Sequence, residues 1–205
     1  MLNIDKPVGS VIQSNGWVEL SSSLQTASVA GWSPTNGAFY PLSAILFVQN
    51  VDGTANTNIT TVETSILGTG TKGSLTVQPS VWAPDRVITM RPAGQFWTGA
   101  SPNLTTYFKL GSTIIAQRNF SPLGSRTGSG WDAEINMRCM TNGGAGVGAI
   151  SAWGWMRPAG GSPVDVTNTV TVLDLTTPLT VGMTSTNNGT ATSFVSRNNI
   201  ITVIP

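Results

Sequence analysis

The sequence predicts an all-β fold, an antiparallel, jelly-roll-like β-sandwich over residues 16–205, preceded by a short extended N-terminal arm over residues 1–15. Three observations lead to this prediction. Apolar and polar residues alternate with a period of two in many short segments, turn-forming residues recur between the segments, and no segment carries a helical stripe of useful length. The 205 residues are enough to bury a core as one main domain.

The alternation predicts strands, in order, over residues 16–20, 24–31, 40–50, 58–64, 73–78, 85–91, 94–98, 104–109, 112–118, 131–139, 147–157, 166–173, 177–184 and 191–204. Turn sequences separate them, including DGT at 52, APD at 83, LGS at 110, TNGGAG at 141 and NNGT at 187. The 28 threonines and 21 serines favour strands and turns over helices. Short strands at this spacing are typical of a sandwich or a jelly roll.

One glycine-rich segment has the spacing of a dinucleotide-binding loop. Gly68, Gly70 and Gly73 in ILGTGTKGSL follow the pattern G-x-G-x-x-G. That spacing binds a pyrophosphate only where a helix N-terminus follows it and offers free N–H groups. Here the strand-like sequence SLTVQPSVW follows, so we interpret the segment as a hairpin connection and expect no cofactor.

The charge of the chain is low and dispersed. Charged residues make up 9% of the sequence, and ten Lys and Arg residues face nine Asp and Glu residues. The basic residues are spread singly, so the clustered positive surface that nucleic-acid binding requires is missing. A surface of Thr, Ser, Asn and Gly suits dense contact with neighbouring subunits, and we expect assembly.

The reactive residue types are scarce. The sequence has no histidine and one cysteine, Cys139, which excludes an intrachain disulfide, a Cys/His zinc site and a Ser-His-Asp or Cys-His catalytic arrangement. We expect Cys139 to be a buried, inert thiol and the protein not to be an enzyme. Asp132 and Glu134 share one strand face as a pair of carboxylates, the arrangement that a glycosidase or a calcium site uses. The favoured interpretation is a solvated face or a salt bridge to Arg138.

The N-terminus and the tryptophans supply candidate contact residues. The first residues lack the basic and apolar regions of a signal peptide, and the longest apolar run is too short to span a bilayer, so we expect synthesis in the cytoplasm and no membrane association. Leu2, Ile4, Val8 and Ile12 give the N-terminal segment apolar positions that suit either an arm clasping a neighbour or an ordinary edge strand. Trp153 and Trp155 share one strand face, which suits a core wall, a flat subunit-contact platform or, less well, a sugar-stacking surface.

The second half of the chain resembles a known group of viral proteins. The segments YFKLGSTIIAQRNF, GWDAEINMRCMTNGGAGVGAISAWGWM and VLDLTTPLTVGMTSTNNGTATSFVSRNNIITVIP follow one another over residues 104–205. In this order they are similar to the trimeric β-sandwich domains of tailed-phage virion proteins. The sequence LTVGMTST departs from that pattern, since family examples carry an aromatic residue in the penultimate strand.

The resemblance implies a homotrimer on the capsid surface of a phage virion, where it would decorate, or cement, the shell by binding the major capsid protein. The alternative is the receptor-binding tip of a tail fibre or spike, which would recognise a host surface glycan. The family supplies no catalytic motif, metal site or cofactor. The contact residues that we name for the leading function are Leu2, Ile4, Val8, Ile12, Trp153 and Trp155.

Overall fold

A computed structural model describes residues 10–12, 18–22, 26–33, 38–49, 51–53, 56–59, 61–67, 73–99, 103–120, 125–158, 161–166, 169–187 and 192–204. Within these residues the regular secondary structure is β-strand, apart from a 3-10 turn at Pro79–Val81. The strands are β1 (Ser10–Ile12), β2 (Val18–Ser22), β3 (Thr26–Ser33), β4 (Ala38–Val48), β5 (Asn56–Ile59), β6 (Thr64–Ser65), β7 (Leu75–Val77), β8 (Val87–Thr98), β9 (Leu104–Leu110), β10 (Thr113–Phe120), β11 (Arg126–Thr141), β12 (Ala149–Pro158), β13 (Val164–Asp165), β14 (Thr169–Val172), β15 (Leu179–Asn187) and β16 (Thr192–Ile204).

The strands form two antiparallel sheets that pack together, which confirms the predicted sandwich. The large sheet has the order β1-β2-β3-β4-β16-β8-β11-β12-β13, with β14 also paired to β12 and β5 to β16. The small sheet has the order β10-β9-β15-β6, with β7 also paired to β15. The chain crosses from the large sheet at β8 to the small sheet at β9, returns at β11, and repeats the exchange at β15 and β16.

The core lies between the two sheets because the strands alternate as the sequence predicts. On β11, Trp131, Ala133, Ile135, Met137 and Cys139 are buried, whereas the residues between them point away from the small sheet. On β9, every second residue from Leu104 to Leu110 is buried. Side chains from both sheets join in one hydrophobic cluster. Cys139 belongs to it, and burial raises the pKa of its thiol.

The predicted break between strands 85–91 and 94–98 is wrong. β8 runs without interruption from Val87 to Thr98, through Pro92 and Gly94. Proline lacks the N–H group that strand pairing uses, and the pairing of both neighbouring strands is irregular near Pro92. β16 carries a bulge between Ser196 and Asn198 beside this point, and the ladder to β11 has no recorded pairs between Asp132 and Ile135.

Two other predicted strands differ from the observed ones. The segment 58–64 corresponds to β5 and β6, which belong to different sheets. The segment 166–173 contains β14 alone, and the short strand β13 lies just before it; the two strands pair with different parts of β12. The strand predicted after the glycine-rich segment is present, since Gly73 is followed by β7. Gly68 and Gly70 lie outside the described residues.

An ion pair stands on the outer side of the small sheet. Lys109 Nζ donates to Glu63 Oε1 at 2.6 Å, and Thr184 Oγ1 donates to the same oxygen at 2.7 Å. The two hydrogen bonds lower the pKa of Glu63 below the ordinary glutamate value of 4.5, and the one from Lys109 has the larger effect. A lowered carboxyl pKa contributes stability that is present above the unfolded-state pKa and is lost as pH falls through the folded-state pKa.

We therefore expect Glu63→Gln to lower the free energy of unfolding at neutral pH by about 0.2–1 kcal/mol, the range for exposed ion pairs. The difference from the wild type should shrink as pH falls below 4.5 and the wild-type carboxylate becomes protonated. Urea titrations of both proteins over this pH range measure it. A difference that stays constant down to acid pH would show that the Glu63 charge contributes nothing.

Candidate interaction surface

The two carboxylates on β11 lie on the outer face of the large sheet, where each contacts an arginine from an adjacent strand. Arg157 of β12 binds Asp132 through two parallel hydrogen bonds, Nε to Oδ1 at 2.8 Å and NH2 to Oδ2 at 2.7 Å. Arg91 of β8 donates from Nε to Glu134 Oε2 at 2.8 Å. The shared face was predicted, and the structure places both side chains on it.

The predicted salt bridge to Arg138 is wrong. Arg138 instead contacts Asp85, in the turn before β8. The strand register explains this choice, because Asp132 lies directly opposite Arg157, whereas Arg138 lies opposite Ser151. Cross-strand neighbours on one face are closer than residues four or six positions apart along the same strand.

A chain of hydrogen bonds extends the polar network along β11. Asn136 Nδ2 donates to Glu134 Oε1 at 3.3 Å, and Thr89 Oγ1 donates to Asn136 Oδ1 at 2.8 Å. The hydrogen bond to Asp132 raises the pKa of the Arg157 guanidinium, so the guanidinium keeps its positive charge at any physiological pH. Over the described part of the chain, no group of three or more His, Cys, Asp or Glu residues is placed to hold a metal ion.

Trp153 and Trp155 lie on this same outer face, so the core-wall interpretation is wrong for both. The register places Trp153 opposite Asn136 and Trp155 opposite Glu134. Trp153 is 37% exposed, and Trp155 is half-buried with the Arg157 guanidinium 5.9 Å from its ring centroid. This separation allows a cation–π interaction. The two indoles therefore border the row of ion pairs.

An apolar corner adjoins Trp153 at the edge of the large sheet. Val170 and Val172 of β14 are 63% and 57% exposed, and Met140 of β11 is 47% exposed. β14 pairs only with β12 among the described strands, which places it at this edge of the sheet. We call the surface formed by Met140, Trp153, Val170 and Val172 the apolar corner.

The other predicted contact residues belong to the N-terminal segment. Leu2, Ile4 and Val8 lie outside the described residues. Ile12 lies in β1, which pairs with β2 of the same chain in the register Ile12 to Val18. The first described strand is therefore an edge strand of its own sheet, and the arm over residues 1–15 stays a prediction.

The described residues include no helix that is long and apolar enough to cross a membrane.

Comparisons with known proteins give likenesses of fold. No protein-family model and no curated protein sequence matches the chain. The chain is similar to a chain in the structure of infectious bursal disease virus, Gt strain, at 14% identity and a TM-score of 0.39 over 100% of this chain. This chain spans 46% of that chain, less than half of its length. It is also similar to the metal-free form of lectin I-B4 from Griffonia simplicifolia, at 8% identity and a TM-score of 0.31, covering 96% of this chain and 91% of the lectin. Both neighbours are β-sandwich-like.

Proposed function

We propose that the protein is a structural component of a tailed-phage virion, a homotrimer that decorates the capsid surface by binding the major capsid protein. The apolar corner carries this proposal. Large apolar side chains are exposed there on an edge strand, and the sequence TVTV of β14 contains neither lysine nor proline. In monomeric proteins, edge strands normally carry such residues, which prevent pairing with other chains. Because β14 lacks them, this edge suits contact with another protein.

The composition supports the same function. A chain with 9% charged residues has little electrostatic repulsion to keep copies apart, and a capsid surface offers it many identical contacts. The predicted site residue Trp153 belongs to the apolar corner, where it would add an aromatic anchor of the kind enriched at protein interfaces.

The number of copies per particle tests the function. Purified virions are digested together with labelled reference peptides from this chain and from the major capsid protein, and the molar ratio is measured by mass spectrometry. Decoration predicts hundreds of copies, in a simple ratio to the capsid protein. A few copies per particle would favour the tail-tip alternative, and absence from the particle would contradict both.

We expect lysines in the apolar corner to weaken shell binding strongly. The double variant Val170→Lys, Val172→Lys places two charges where apolar area worth about 25 cal/mol per Å² would be buried. Its co-sedimentation with undecorated shells should weaken at least tenfold. Val62→Lys is the control, because Val62 is 70% exposed and lies outside the corner. Equal binding by the double variant and the wild type would remove β14 from the contact.

We expect the purified wild-type protein to be a trimer. Size-exclusion chromatography with light scattering at micromolar concentration should give three times the 21.4 kDa chain mass. The physical reason is the charge-poor surface, which favours burial against identical copies over full hydration. A stable monomer under these conditions would contradict the trimer and leave the copy-number measurement as an independent test of decoration.

A further inference from the structure

A second surface, which adjoins the apolar corner and shares Trp153 with it, combines two indoles with side chains that are already held in place. We call it the tryptophan–arginine face, and it consists of Trp153, Trp155, Arg91, Arg157, Asp132 and Glu134. Trp153 forms the boundary between the two surfaces. Asp132 and Glu134 come from the middle strand, the arginines from the strands on either side, and the tryptophans from β12.

We propose that the tryptophan–arginine face binds a neutral polysaccharide. The faces of sugar rings carry C–H groups that pack on an aromatic ring, while their hydroxyl groups both donate and accept hydrogen bonds. Trp153 and Trp155 supply the apolar surface. The carboxylates of Asp132 and Glu134 supply acceptors, and the guanidinium groups of Arg91 and Arg157 supply donors beside them.

The charge balance of the face selects for a neutral ligand. Each carboxylate is paired with one arginine, at 2.7 Å for Asp132 and 2.8 Å for Glu134, so the four charges sum to zero. A surface that holds an anionic chain needs unpaired basic residues, because its affinity comes from neutralising charge. The paired arginines keep N–H groups for hydrogen bonding without offering a net positive field.

The shape of the face selects for an extended chain. The two tryptophans are two positions apart on one strand, which separates their Cα atoms by about 7 Å along a flat sheet. A flat surface with two aromatic platforms suits successive units of a polymer, whereas a single small ligand needs a concave pocket that covers most of it.

The face is organised before any ligand arrives. The two hydrogen bonds between Arg157 and Asp132 fix both side chains, and Arg157 lies against the Trp155 ring. Asn136, in turn hydrogen-bonded by Thr89, orients Glu134 from the other side. Side chains that folding has already ordered lose little further entropy on binding, which favours affinity for a weakly interacting ligand such as a sugar chain.

Affinity electrophoresis in native gels tests the proposal. The gels contain dextran, laminarin, mannan or soluble starch as neutral polysaccharides, and polygalacturonate as an anionic one. At least one neutral polysaccharide should retard the wild-type protein. Trp155→Ala should weaken that retardation about tenfold, a loss of about 1.4 kcal/mol, and Trp155→Phe should restore part of it. The double lysine variant of the apolar corner, Val170→Lys with Val172→Lys, should bind the polysaccharide as the wild type does. Its added charges alter its mobility, so each retardation is measured relative to a gel without polysaccharide.

Three outcomes would overturn the proposal. The first is that no neutral polysaccharide retards the wild-type protein. The second is retardation by polygalacturonate alone, which would assign the face to anions. The third is that Trp155→Ala leaves polysaccharide binding unchanged. The wild type could also bind no polysaccharide while Trp155→Ala loses shell binding. That result would assign the face to the capsid instead. Because Trp155 lies on the outer face, thermal melting of each variant should match the wild type, which separates binding from folding.

Discussion

Replacing Gly94 by alanine should destabilise the sandwich more than any other change of a single methyl group on β8. Gly94 lies between Ser196 of β16 and Trp131 of β11 in the middle of the large sheet. An ideal Cβ at this position would stand 2.0 Å from the carbonyl oxygen of Val195 and 3.0 Å from Trp131 Nε1. The first neighbour is backbone, so the added methyl group can fit only if two central strands move apart.

Overpacking a core costs about 1–3 kcal/mol in other proteins. We expect Gly94→Ala to lower the free energy of unfolding by at least this amount. Gly182→Ala on β15 is the matched control, because beyond Gly182 and its two chain neighbours no atom lies within 4 Å of the added Cβ. Alanine is favoured over glycine inside a strand, so the control should be neutral or slightly stabilising. Urea denaturation at one fixed protein concentration measures both variants, since the stability of an oligomer depends on concentration. Equal stabilities of the two variants would show that the strands are not in this register.

Replacing Phe194 by alanine should have the largest effect of any truncation in the core. Phe194 lies in β16, is 1% exposed and belongs to the hydrophobic cluster between the two sheets. Its ring stacks on Phe96 with centroids 5.5 Å apart and meets the edge of Trp131 at 6.0 Å. Truncation removes both ring contacts and leaves a cavity, so we expect a loss of about 3–5 kcal/mol.

The measurement is again the free energy of unfolding, with near-ultraviolet circular dichroism to follow the packing around Trp131. Phe194→Leu is the conservative variant, and it should recover much of the loss because it keeps apolar volume at the site. Val62→Ala, at a position 70% exposed, should change stability by less than about 0.5 kcal/mol. A loss in Phe194→Ala no larger than that of the Val62 control would place Phe194 outside the core.

The sequence predicted the fold class well because alternation along a strand records which side of a sheet is buried. β9, the part of β11 from Trp131 to Cys139, and β15 from Val181 onward keep a period of two, and their buried positions are those the pattern indicates. Errors arose where the backbone departs from that pattern. Pro92 ended a predicted strand that in fact continues, because Pro92 stays paired with Asn199 of β16 while the ladder to β11 has a gap between Asp132 and Ile135. β5 and β6 were joined in one prediction, because sequence does not show when a chain passes to the other sheet.

The candidate surface was predicted only in part. Asp132 with Glu134, and Trp153 with Trp155, were each placed on one face because both pairs are two positions apart. Their partners were missed. Arg91 is 43 residues from Glu134, and Arg157 is 25 residues from Asp132. Register across strands brings them together, and register depends on turn geometry and on packing of the whole core.

The central position of β16 determines when the protein can fold during its synthesis. β16 lies between β8 on one side and β4 and β5 on the other, although a ribosome makes it after every other described strand. Until residues 192–204 leave the ribosome, the facing edges of β8 and β4 have no partner from their own chain. Nascent chains on one messenger are close to each other, and such edges pair readily with foreign strands. Slower initiation, which spaces the ribosomes, should therefore raise the soluble yield more than slower elongation does.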